Sequence, residues 1–197
     1  MRKLRICHFC AVLAVCLAGC TSNEPTASES ADPGVDQAGS VEPPGASPPP
    51  KSTSPAISGE DFRSAAYEGK LDTVRQALES GTDINGTDPQ QQLTALHMAA
   101  YNGHTEVVRL LIEHDAEINA RDFQGKTALT HACTGPFQAT VKALVEAGAD
   151  INLQEATEGF TPLMMAAGLG QVEVVKVLLR NEANTSIRDN DGDRAVD

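Results

Sequence analysis

The chain repeats itself at a spacing of about 33 residues, and that periodicity constrains its fold more than any other feature. Thr94-Ala95-Leu96-His97-Met98-Ala99-Ala100, Thr127-Ala128-Leu129-Thr130-His131-Ala132-Cys133 and Thr161-Pro162-Leu163-Met164-Met165-Ala166-Ala167 stand in register. Behind them run Val107-Val108-Arg109-Leu110-Leu111, Val141-Lys142-Ala143-Leu144-Val145 and Val174-Val175-Lys176-Val177-Leu178-Leu179. Each unit therefore holds two apolar stretches with helical spacing. Asn102-Gly103 or Leu169-Gly170 separates them, and glycine there can take the positive φ of a tight helix–helix turn. Ala99-Ala100 and Ala166-Ala167 are small enough to let neighbouring helices approach closely. One helix pair cannot hide its own apolar face, so the units must stack and share a continuous core.

These residues and their spacing resemble ankyrin repeats over about Ser58 to Asp197. The resemblance implies an all-α solenoid of about four helix-pair repeats joined by β-hairpin loops, at about 58–85, 86–119, 120–152 and 153–186. A partial fifth unit covers 187–197. Arg188-Asp189-Asn190-Asp191-Gly192 opens its hairpin, and Asp197 is reached before any helix, so either the sequence continues or the last pair lacks a cover. The resemblance further implies a binding function without catalysis. It also makes His97 structural, bonded to Thr94 and the nearby backbone.

Several residues depart from the pattern. Asp115 and Glu182 stand where Gly81 and Gly148 end the other second helices, and a non-glycine residue there costs about 1 kcal/mol. Pro136 occupies the place of Gly103 and cannot take a positive φ. The turn of unit three is therefore expected to differ, with Gly135 adopting the unusual angle, and the unit to be locally weaker. Ser58 followed by Asp61 is a capping-box pattern for the first helix.

The start of the chain has a different character. Arg2, Lys3 and Arg5 precede a mostly apolar run from Ile6 to Ala18, which is too short to span a bilayer and has the order of a secretory signal. Leu17-Ala18-Gly19-Cys20 resembles the lipobox of a bacterial lipoprotein signal. That implies a signal peptide over 1–19, lipidation of Cys20 and a membrane anchor whose acyl chains each contribute about 0.8 kcal/mol per buried methylene. Thr21, which is not aspartate, resembles the pattern for outer-membrane sorting, facing the periplasm. Residues 20–57 are expected to form a disordered linker, because eight of the eleven prolines fall there among Ser, Ala and Gly. With Cys7, Cys10 and Cys16 in the signal and Cys20 modified, Cys133 alone remains. No internal disulfide is then expected.

Charge and composition narrow the function classes. The 27 acidic and 15 basic groups give a net charge of −12, and from Ile57 onward the balance is 22 to 11. An acidic chain lacks the basic face that displaces phosphate counterions, which argues against nucleic acid. Aromatics at 4% without tryptophan leave little for an aromatic-lined cofactor pocket, and no cofactor is expected. His104, His114 and His131 lack the one-turn spacing of a zinc pair. Asp189 to Asp193 lacks the distal glutamate of a calcium loop. No nucleophile has a neighbouring base, so neither a metal nor a catalytic residue is assigned.

Interaction residues follow from aligning the units. Tyr67, Tyr101, Thr134 and Gly168 form one column, Leu93, Lys126 and Phe160 another, and Phe123 sits at a hairpin tip. Tyr67, Leu93, Tyr101, Phe123, Lys126 and Phe160 are the candidate partner-binding set on the concave side. The reading at this level is a monomeric, lipid-anchored protein of the bacterial envelope that binds another protein, with the acidic surplus favouring a basic surface. The alternative is an inhibitor or immunity-type protein that neutralises an envelope-acting enzyme.

Overall fold

Thr94, Thr127 and Thr161 each start a helix in the same way: the backbone is extended, and the side-chain oxygen accepts from the amide three residues on. That bond satisfies one of the orphan donors of a helix N-terminus. Ser58 does the same for the first helix, accepting from the Asp61 amide at 3.1 Å. Its hydroxyl also bonds Asp61 Oδ2 at 2.7 Å, so the acidic partner closes on the side chain of Ser58.

The computed structural model describes residues 57–197. The helices, in pairs, are α1 (Gly59–Glu68) and α2 (Leu71–Glu79), α3 (Ala95–Tyr101) and α4 (Thr105–Glu113), α5 (Ala128–Ala132) and α6 (Gln138–Glu146), and α7 (Pro162–Gly168) and α8 (Val172–Arg180). First helices stack as α1, α3, α5, α7 and second helices as α2, α4, α6, α8, with each pair also packed internally. The core runs between the two layers. Phe62, Leu96, Leu129 and Leu163 come from the first helices, and Val74, Leu111, Leu144 and Leu178 from the second. Cys133 takes the place that Ala66 and Ala100 hold in earlier units, fully buried as they are.

The hairpins are shorter than expected. No strand forms among the described residues, and each loop is closed by a backbone bond from the amide of an acidic residue. These run from the Asp88 amide to Leu93 O (3.1 Å), Asp122 to Lys126 O (2.9 Å), Glu155 to Phe160 O (3.0 Å) and Asp189 to Asp193 O (2.9 Å). The same acidic side chains turn back to collect the loop amides: Asp122 Oδ1 accepts from Gln124 and Lys126, and Glu155 Oε1 from Glu158 and Phe160.

The turn of unit three also corrects an expectation. Gly135 does not take a positive φ, whereas Gly69, Gly103 and Gly170 do in the other units. Helix α5 instead stops after five residues, and 133–136 form the turn, which fits Pro136 without left-handed backbone. Asp115 and Glu182 take the left-handed angle at φ 62° each, as their positions require. Gln92 joins them at φ 57°, in the place where later hairpins carry Gly125 and Gly159.

Candidate interaction surface

Adjacent units are stitched on the hairpin side by two repeated bonds. Asn85 Oδ1 accepts from the Glu117 amide (2.9 Å), Asn119 Oδ1 from Asp150 (2.8 Å) and Asn152 Oδ1 from Asn184 (2.8 Å). Loop tips are joined through the amides of Phe123, Ala156 and Asn190, which donate to the carbonyls of Gln91, Gln124 and Glu158. The tips are thus held as one row by backbone bonds, and a side chain placed there is presented on a firm base.

Of the candidate residues, Phe123 is the most open: it stands at a tip with 73% of its surface exposed. Tyr67 and Tyr101 stack across the first inter-unit seam, with ring centroids 6.5 Å apart and planes at 15°. Tyr101 meets His131 edge-on at 6.0 Å, and His131 meets His97 in the same manner at 5.6 Å. Both tyrosines are half-buried, covering a seam while leaving an edge outward. Phe160 is half-buried against the core. Lys126 is half-buried too, its Nζ donating to Gln124 Oε1 at 3.0 Å. Burial pushes the Lys126 ammonium below its ordinary value, against the pull of Asp122 and Glu155. Leu93 must be struck from the exposed set. It is only 5% exposed, and its carbonyl accepts from the Asp88 amide to close the hairpin.

The polar centre of this side was only partly visible beforehand. His97 behaves as expected: Nδ1 lies 2.9 Å from Thr94 Oγ1 and accepts from the Thr94 amide at 3.2 Å. Its Nε2–H then faces the carbonyls of Ala120 (3.0 Å) and Lys126 (3.3 Å) in the next unit. Burial, with His131 adding to it, lowers its pKa from 6.5 to about 4, so the ring is neutral. The pairing of His131 Nε2 with Asp122 Oδ2 at 2.8 Å was not foreseen, since nine residues of sequence separate them across a loop. Burial would raise the Asp122 carboxyl, but the His131 bond and the Lys126 and Gln124 amides outweigh it and hold it below 3.8.

The carboxylate of Asp122 accepts from two loop amides and meets His131, that of Glu155 accepts from loop amides, and burial drives the Cys133 thiol far up, away from a reactive thiolate. Among the described residues no three His, Cys, Asp or Glu side chains are placed to hold a metal ion. Cys20 and the residues expected to form a signal and a linker, up to residue 56, lie outside the described residues.

A stack of paired helices with a braced row of loop tips defines a repeat solenoid, a class whose extended surfaces bind other macromolecules. The sequence family described as ankyrin repeats (three copies) matches residues 62–155 and 137–196, and the chain belongs to that family. It is 44% identical over 71 residues to human Ankyrin repeat and KH domain-containing protein 1, covering 36% of this chain and 3% of that protein. It is 41% identical over 58 residues to the fruit-fly E3 ubiquitin-protein ligase mind-bomb, covering 29% and 5%. Rat Ankyrin repeat and SAM domain-containing protein 6 is 38% identical over 73 residues, covering 37% and 8%. The matched segments are thus a small part of each relative's length. Ankyrin repeats are a protein–protein interaction fold, generally a non-catalytic scaffold.

Proposed function

We propose that this chain is a membrane-tethered protein-binding module of the bacterial envelope, held by lipid on Cys20 and facing the periplasm from the outer membrane. The observation that carries the binding role is Phe123. A large aromatic at 73% exposure does nothing for the core, and it stands on tips braced by backbone bonds, as an interface anchor does. Tyr67, Tyr101, Lys126 and Phe160 supply the half-buried ground beside it along the first helices and hairpins. The acidic surplus favours a partner with a basic surface, engaged faster at low salt. The tether rests on residue order alone: Arg2, Lys3 and Arg5, the apolar run, Cys20, then the proline-rich stretch. Its part is to raise the local concentration of the binding surface at the membrane.

Replacing Phe123 by alanine should preserve the helical spectrum yet weaken capture of the cellular partner; undiminished capture would reject this surface. For the tether, Cys20→Ser should move the protein from the membrane to the soluble fraction, and the parent should incorporate labelled fatty acid. A parent that takes up no label and fractionates like the variant would overturn the location.

A further inference from the structure

The second helices carry a repeated charge pattern, and α6 breaks it. Their fifth places hold Arg75, Arg109, Lys142 and Lys176, and their second places hold Asp72, Glu106, Ala139 and Glu173. In α2 and α8 the acid holds its own cation, Asp72 meeting Arg75 at 4.0 Å and Glu173 meeting Lys176 at 2.7 Å. Helix α6 has Ala139 instead and no acid in its first turn. Lys142 reaches Glu146, one turn further along, at 3.7 Å, and Arg109 makes no ion pair among the described residues.

The turn into α6 differs as well. The first amides of α2, α4 and α8 each donate to the turn glycine two residues back, Leu71 to Gly69, Thr105 to Gly103 and Val172 to Gly170, all at 2.9 Å. Pro136 replaces that glycine before α6, and the Gln138 amide makes no such bond. Phe137, at the N-cap, supplies no side-chain acceptor either.

These features meet at one seam. An open groove of about 570 Å³ runs between α4 and α6, with Arg109, Lys142 and the start of α6 lining it and no carboxylate among its lining residues. Phe137 and Pro136 give it an apolar wall. The Phe137 ring is fixed there, since it lies so close to Gly103 and Gly135 that neither could carry a Cβ. Thr105 Oγ1 and Thr140 Oγ1, 2.8 Å apart, tie the two helices beside it. No hairpin residue lines the groove, so it is separate from the surface around Phe123.

We propose that this groove binds a small phosphate monoester with an apolar body, its oxygens taken by Arg109, Lys142 and the first amides of α6 and its body laid against Phe137 and Pro136. Cations from two helices, together with N–H donors at a helix start, suit a dianion with three terminal oxygens better than a lone carboxylate. Such a ligand bridges units two and three, so binding also stabilises the stack.

Phenyl phosphate is the probe, titrated into the full chain in mild detergent and followed by calorimetry and thermal melting. Saturable one-to-one binding with a rising melting temperature is expected. Arg109→Gln and Lys142→Gln should each weaken it roughly tenfold or more. Ala139→Glu should weaken it as much while leaving the unliganded melting temperature undiminished, because an acid suits the first turn of a helix. Inorganic phosphate, which lacks the ring, should bind roughly tenfold more weakly than the probe. The proposal is overturned if phenyl phosphate binding does not saturate, if Ala139→Glu binds as the parent does, or if inorganic phosphate binds equally well.

Discussion

Nε2 of His131 lies 2.8 Å from Oδ2 of Asp122, and this bond fastens helix α5 to the hairpin in front of it. Asp122 also accepts from the Gln124 and Lys126 amides, so one carboxylate closes the loop and anchors it. Asp122→Ala strands three donors, the buried His131 ring N–H and two part-buried loop amides, and should cost about 3 kcal/mol, read from the urea midpoint. The folded carboxyl is held below 3.8, so its contribution is complete above about pH 4 and is lost as pH falls through the folded value. The Asp122→Ala deficit should therefore be constant at neutral pH and shrink only in strong acid.

His97 acts in a different window. Its pKa falls from 6.5 unfolded to about 4 folded, so between these values the unfolded chain binds the extra proton. Stability should rise with pH across that interval, by about 3 kcal/mol in total, and be complete above about pH 6.5. His97→Thr, which copies Thr130 in the next unit, should flatten the slope in urea titrations between those limits.

Gly103 and Gly170 occupy equivalent turns, both at φ 71°. A Cβ on Gly103 would penetrate the Phe137 ring, whereas one on Gly170 meets nothing within 4 Å. Gly170→Ala should cost about 1 kcal/mol for its left-handed backbone alone. Gly103→Ala should cost about 2 kcal/mol more, because the ring must move from a packed seam. Paired thermal melts would check the difference.

Asp115, Glu182 and Gln92 carry side chains where the backbone is left-handed. Glycine at each should stabilise by about 0.5–1 kcal/mol, with near-additive gains because the sites are separate. A triple-glycine variant with an unchanged or lower urea midpoint would contradict that.

Much of the fold was legible in the sequence because the repeat supplies its own internal standard. Thr94, Thr127 and Thr161 declared their helix starts, and Asp115 and Glu182 could be placed in left-handed backbone by aligning them with Gly81 and Gly148. Where the standard varied, reading failed. Pro136 signalled an altered turn, but shortening α5 left Gly135 with an ordinary angle. Gln92 was missed because hairpin two offers three glutamines where its counterparts offer one glycine. Leu93 was misplaced because it shares a column with Lys126 and Phe160, while alignment gives no inside or outside. The acidic residues Asp88, Asp122 and Glu155 counted only toward the acidic surplus. Their work on loop amides depends on backbone geometry that composition does not carry.

The central claim is that the hairpin and first-helix side of the stack grips another protein. A photoreactive residue placed at Phe123, compared with one at Arg75 on the exposed face of α2, tests it most directly in living cells. The account expects a discrete protein adduct from position 123 and none from position 75. Equal adducts from both positions, or an adduct from 75 alone, would contradict it.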